Sequence, residues 1–223
     1  MKQEIELKYQ ISCLADFKRL LATLKKQARG PINKLHQRNI FFDTPGLDLR
    51  KNLISLRLRR ENQIYYLCVK QSGLSSRVDN LSVRLEFERQ VSKEIADLML
   101  TEQISPIEVF AQLASENHDD LSTRDNLSVH LKNLALREVK IIGFFINKRT
   151  KIPIILNNHK IFIELDQTTY PDKIDIFEME IEFHTQEEAR VVQPAIENIL
   201  EELGLVISAS TPKSDRLYRI LFG

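Results

Sequence analysis

Glu4-Ile5-Glu6-Leu7-Lys8-Tyr9-Gln10-Ile11 alternates ionised or polar side chains with apolar ones at period two. That period is the signature of a strand with one dry face and one polar face, and it predicts a strand over residues 3–11. The same pattern recurs further along. Arg57 and Arg59 share a face, as do Arg84, Glu86 and Glu88, Glu164 and Asp166, and Glu178, Glu180 and Glu182.

On one strand such a face reads as the wet outer side of an antiparallel sheet. Here the pattern recurs on five strands, and some of the faces carry charge of one sign only. Arg57/Arg59 is cationic and Glu178/Glu180/Glu182 is anionic, whereas a solubilising face intersperses signs because like neighbours repel. Two arrangements satisfy the pattern: an ordinary α+β domain with solvated charged strands, or a sheet bent until the charges face inward. In the second, carboxylates hold hard divalent ions and Arg or Lys hold phosphate oxygens, so a metal-chelating polyanion suits both sets.

The remaining elements follow from punctuation. After the first strand comes a helix that Ser12 caps, with a stripe of Leu14, Phe17, Leu20, Leu21 and Leu24, ended by Gly30-Pro31. Strands are expected at 36–43, 54–60, 63–71 and 82–91, with turns at Thr44-Pro45-Gly46 and Glu61-Asn62 and an exposed loop at 72–80. Residues 93–137 read as two or three helices, divided near Ser105-Pro106 and His118-Asp119-Asp120. Strands return at 139–149, 152–157, 160–166 and 174–183, turning at Asn157-Asn158 and Tyr170-Pro171-Asp172. A helix at 185–203 stops at Gly204, and a short strand near 205–208 and a last turn of helix close the chain. With no repeat and no long linker, 1–223 is expected to be a single domain.

The 223 residues are 43% hydrophobic and 28% charged with a net charge of +1, so no global field favours nucleic acid or a membrane surface. The lack of an apolar leader or long apolar run points to a cytoplasmic protein. Cys13 and Cys68 have no metal-like spacing and are expected as free thiols. The histidines at 36, 118, 130, 159 and 184 form no ligand-spaced pair, no G-x-S-x-G elbow is present, and the six glycines are too scattered for a phosphate loop.

The ordered motifs resemble those of the CYTH, or triphosphate tunnel metalloenzyme, family. Glu4-Ile5-Glu6-Leu7-Lys8 resembles its E-x-E-x-K opening, and Gln37-Arg38-Asn39-Ile40-Phe41-Phe42-Asp43-Thr44-Pro45 its Q-x-x-x-Y-F-D-T-P segment. Leu56-Arg57-Leu58-Arg59, Lys70, Arg84-Leu85-Glu86-Phe87-Glu88, Arg149, Leu165-Asp166 and Phe177-Glu178-Met179-Glu180-Ile181-Glu182 follow in family order. Lys213 and Arg216 resemble the closing S-K-x-x-R, with Thr211-Pro212 where Ser often stands.

The resemblance implies an α+β fold: an eight-stranded antiparallel β tunnel, a closed barrel with a charged lumen and helices packed outside. It implies a metal-dependent hydrolase of triphosphate substrates, inorganic tripolyphosphate first, yielding pyrophosphate and phosphate. Lys8, Arg57, Arg59, Lys70, Arg149 and Lys213 would bind phosphate. Glu4, Glu6, Glu86, Glu88, Asp166, Glu178, Glu180 and Glu182 would hold Mg²⁺ or Mn²⁺, with Glu4, Glu6 and Lys8 also taking catalytic roles. Thiamine triphosphatase and a class IV-type adenylate cyclase are the enzymatic alternatives, and a polyphosphate- or nucleotide-binding module the non-enzymatic one. The expected partner is a triphosphate-bearing small molecule, without nucleic acid or membrane, and a homodimer is left open.

Overall fold

The computed structural model describes residues 2–72, 80–115 and 138–223. Strand β1 (Lys2–Ile11) leads into α1 (Leu14–Gln27), β2 (Asn33–Asp43) and the short α2 (Asp48–Lys51). Then come β3 (Ile54–Glu61), β4 (Ile64–Ser72), β5 (Leu81–Val91), α3 (Lys93–Leu100) and α4 (Pro106–Ser115). After the helices come β6 (Lys140–Leu156), β7 (His159–Thr169), β8 (Asp175–Phe183), α5 (Gln186–Glu202), β9 (Ile207–Ala209) and α6 (Lys213–Phe222).

The strand order is β5-β4-β3-β2-β6-β7-β8-β1-β9, with an additional β5–β1 pairing. That pairing closes β1 to β8 on themselves as an eight-stranded antiparallel barrel, with β9 added beside β1. Closure leaves β1 to β8 without a bare edge.

Contacts group the chain into two compact units, one of residues 1–3, 38–73 and 84–144, the other of 4–37, 74–83 and 145–223. Each has its own apolar core. In the first, Leu56, Leu58, Leu67, Val69, Phe87 and Val91 pack with Ala96 and Met99 of α3 and Ile107 and Phe110 of α4. In the second, Ile5, Leu7, Tyr9 and Ile11 of β1 join Ile163, Leu165, Met179 and Ile181. They are covered by Phe17, Leu20 and Leu24 of α1 and by Val192, Ile196 and Leu200 of α5. The dry face of β1 thus falls where its alternation placed it, and the helices bury their stripes against it.

Several local expectations are corrected. Ser12 does not cap α1: Cys13 holds that position without a side-chain bond, and the Ser12 hydroxyl donates to the Val206 carbonyl at 2.9 Å. Leu14 lies outside the apolar stripe, 43% exposed. The two strands expected at 139–149 and 152–157 are one, β6, because Lys151, Ile152 and Pro153 continue the ladder opposite Glu164, Ile163 and Phe162. The final turn is a full helix, α6, of 10 residues. Of the loop expected at 72–80, Ser72 belongs to β4 and residues 73–79 lie outside the described residues, as does the helical division near His118.

The turn after β2 is held by one carboxylate. Asp43 accepts from the amides of Thr44 (2.7 Å), Leu49 (2.9 Å) and Arg50 (3.1 Å), while the Thr44 hydroxyl donates to Asp48 at 2.6 Å. Asp43 is fully buried, so its loss strands several amide donors at once. Asp43→Ala is expected to cost on the order of 2–4 kcal/mol of stability, measured by urea unfolding. Asp43→Asn, which keeps one acceptor oxygen, is expected to cost less.

Candidate functional site

Much of the charged faces of the strands is buried. Asp166 and Glu178 are 0% exposed, and Glu4, Glu6, Lys8, Glu86 and Glu180 are also inside. A solvated outer face is thereby excluded for these residues. Burial of unpaired charge is very costly, so buried acids need cations, and the strand register shows where several of them come from.

In the second unit the pairing of β6, β7, β8 and β1 aligns charged rows. Lys151 stands opposite Glu164, Glu164 opposite Glu180, and Glu180 opposite Lys8. One step along, Arg149 stands opposite Asp166, Asp166 opposite Glu178, and Glu178 opposite Gln10. Arg149 donates from Nε to Asp166 Oδ1 at 2.8 Å and from Nη2 to Asp166 Oδ2 and Glu180 Oε2, each at 2.6 Å, and its Nη1 pairs with Glu164. Lys151 reaches the other Glu164 oxygen at 3.0 Å.

The start of α6 supplies the rest. Lys213 Nζ lies 2.8 Å from Asp166 and 2.9 Å from Glu178, and also donates to Glu180, which Lys8 contacts too. Arg216 stands 3.4 Å from Glu178 and donates to Gln10 at 3.0 Å, and the Ser210 hydroxyl donates to Glu178. The Tyr170 hydroxyl donates to the Lys213 carbonyl at 3.3 Å, fixing where the helix begins.

These pairings set the protonation states. Burial opposes ionisation of Asp166, but Arg149 and Lys213 outweigh it and hold its carboxyl below the usual range. Burial is likewise overcome at Glu178 by Lys213 and Lys8, and at Glu180, which lies well below its ordinary value, by Lys213, Lys8 and Arg149. Lys213 and Arg149 are desolvated too, yet the acids around them drive both well above their ordinary values.

The first unit carries its own cluster. Arg59 donates to Glu88 at 2.8 Å and stacks over the Tyr66 ring at 5.0 Å. Lys70 is 3.1 Å from Glu86, which Lys2 approaches at 3.8 Å. Arg57, Cys68 and Glu88 form one cross-strand row. The Cys68 thiol donates to Glu88 at 3.4 Å. Burial pushes the thiol up to about 11 against the pull of Arg57 and Arg59. Burial also opposes ionisation of Glu88, and Arg59 and Arg57 overcome it, leaving that carboxyl below its ordinary value.

The family profile of the CYTH domain matches residues 2–218. The chain belongs to the CYTH domain family. Its fold is similar to that of the adenylyl cyclase candidate HpAC1 from Hippeastrum, described as having a dominant triphosphatase activity, at 22% identity and TM-score 0.73, covering 97% of this chain and 95% of that one. An adenylate cyclase candidate from Bacillus halodurans aligns at 23% identity and TM-score 0.65, over 98% of this chain and 100% of that one. PH1819 from Pyrococcus horikoshii aligns at 16% identity and TM-score 0.54, over 96% and 99%. A comparison with curated proteins found no match.

Of the residues that the CYTH motifs single out, Lys8, Arg149, Asp166, Glu178, Glu180 and Lys213 come together in one cluster. Glu6 joins it at 3.8 Å from Lys8, and Glu4 is buried on the same face of β1. Arg57, Arg59, Lys70, Glu86 and Glu88 gather in the first unit. Glu182 stands exposed, opposite Glu6 in register. Glu164, which shares a face with Asp166, Arg216 of the closing motif and Gln10 on the polar face of β1 belong to the cluster as well. Lys151 is missed because the expected strands break at 149 and resume at 152, and Ser210 carries no periodic signal. Among the described residues no group of three or more His, Cys, Asp or Glu is arranged to hold a metal ion, and no helix is long and apolar enough to cross a membrane.

A pH dependence follows. Asp166, Glu178 and Glu180 have depressed folded-state values, so their contribution to stability is complete above the ordinary carboxylate range and is lost as pH falls through those values. The raised Lys213 contributes fully below its ordinary value and is lost only as pH rises past it. The urea midpoint is therefore expected to stay level from about pH 5 to about pH 9 and to drop below about pH 4. Glu180→Gln is expected to flatten the acid limb.

Proposed function

We propose that this chain is a metal-dependent hydrolase of triphosphate substrates, with inorganic tripolyphosphate as the first choice. The observation that carries it is the buried intermixing of both signs: Asp166, Glu178 and Glu180 against Lys8, Arg149 and Lys213. Plain anion binding needs no buried carboxylates, and a structural core needs neither sign. A phosphate chain carrying divalent metal makes use of both. The triphosphatase activity described for HpAC1 agrees with this reading.

The donor set fits the metal chemically. Carboxylate oxygens are the ligands that Mg²⁺ and Mn²⁺ prefer, and Asp166, Glu178 and Glu180, with Glu4 and Glu6, would hold the ion. Bound there, it would lower the charge on the phosphate oxygens and the pKa of a water. The guanidinium of Arg149 already presents a fork to Asp166, and the same fork suits two phosphate oxygens. Lys8 and Lys213 add point charges. Water attacks the terminal phosphorus, the bridging P–O bond breaks, and pyrophosphate leaves with its charge matched by these cations. Glu4 and Glu6 orient that water and take its proton.

The test is phosphate release from tripolyphosphate, ATP and thiamine triphosphate with Mg²⁺ or Mn²⁺, with pyrophosphate and cyclic AMP assayed separately. Metal-dependent, saturable cleavage of tripolyphosphate is expected, and Arg149→Ala and Glu180→Gln should each lower kcat/KM by about 100-fold or more. Turnover that is unsaturable, or unchanged in both variants, overturns the reading. Cyclic AMP and pyrophosphate as the main products from ATP would replace it with cyclase chemistry.

A further inference from the structure

Lys213 occupies an unusual position. Its ammonium contacts three buried acids on two adjacent strands, Asp166 and Glu178, which face each other across β7 and β8, and Glu180. These are the hard oxygen donors that would hold a divalent ion. The acids of the cluster already hold cations: Glu6, Glu164, Asp166, Glu178 and Glu180 pair with Lys8, Arg149, Lys151, Lys213 and Arg216, and Glu4 is buried on the same face as Glu6. A divalent ion entering alone adds two positive charges to a cluster whose acids already hold cations. A triphosphate entering alone adds several negative ones. Each is opposed by the same low-dielectric Coulomb energy that holds the cluster together, and the two together largely cancel.

We propose that Lys213 is a built-in counter-cation, holding the place of the metal among Asp166, Glu178 and Glu180 until a triphosphate draws it away. This rests on the triphosphate reading above and deepens it. Metal and triphosphate then bind with strong mutual dependence, because the oxygens that release Lys213 also supply its new partner. Lys213 is well placed for such an exchange. It is the first residue of α6, its backbone is tethered through its carbonyl to Tyr170, and its side chain is long and unbranched.

The test reads metal binding, not turnover. Mn²⁺ affinity is measured by water-proton relaxation on the wild type, on Lys213→Gln and on the charge-conserving Lys213→Arg, with and without imidotriphosphate as a non-cleavable probe. Wild type and Lys213→Arg are expected to bind Mn²⁺ alone weakly and at least about tenfold more tightly with the probe, a coupling of about 1.4 kcal/mol. Lys213→Gln is expected to bind Mn²⁺ alone at least about tenfold more tightly than wild type and to lose most of the coupling. Equal Mn²⁺ affinity of wild type and Lys213→Gln without the probe overturns the proposal. If Lys213→Gln does not fold, wild-type thermal shifts decide instead: Mn²⁺ and probe together should raise Tm by more than the sum of their separate effects, and simple additivity overturns it. Failure of the probe to bind any of the proteins would count against the triphosphate reading, while the Mn²⁺-only comparison still judges Lys213.

Discussion

The buried ion pairing around Asp166, Glu178 and Glu180 is the constraint to which much of the second unit answers. Three carboxylates on neighbouring strands cannot stay ionised in a dry interior without cations at contact distance. Lys8 comes from β1, Arg149 from β6 and Lys213 from α6, so strand register and the docking of the last helix are tied to one electrostatic condition. A slip of one residue on any of these strands would send the charges to the apolar side and the apolar residues to theirs. The cluster therefore fixes register as strictly as the core does, from the opposite face.

The apolar cores carry the complementary task. In each unit the helices cover the dry faces of strands whose other faces are charged, so hydrophobic burial offsets the desolvation that the charged side incurs. This division explains why a fold so rich in buried charge has ordinary bulk composition. The charges are not numerous; they are aligned.

Much of this arrangement was legible in the residues. Period two separated Ile5, Leu7 and Tyr9 from Glu4, Glu6 and Lys8, and the segregation of sign on Arg57/Arg59 and Glu178/Glu180 marked faces that were not solubilising. Strand boundaries were legible wherever a turn carried its own chemistry, as at Asn157-Asn158, where both residues adopt positive φ. What escaped was decided by partners distant in sequence. The continuity of β6 through Pro153 depends on its ladder with β7, and the Ser12 hydroxyl goes to Val206, far along the chain. Glu182 has the same spacing as Glu178 and Glu180 yet lies exposed, because alternation fixes a face and says nothing of depth along it. Ser210 reaches Glu178 from an irregular segment, where no period exists to read.

The two cysteines illustrate how one residue type takes two chemical characters within a single chain. Cys13 is exposed at the start of α1, whereas Cys68 is buried with its proton directed at Glu88 and its acidity suppressed to about 11. At neutral pH the interior thiol holds almost no thiolate and is shielded from reagents, so it is chemically silent despite two guanidinium neighbours. The surface thiol is the natural anchor for a fluorophore or spin label. A reporter attached there would leave the charged rows untouched, giving the native chain a ready single-site handle.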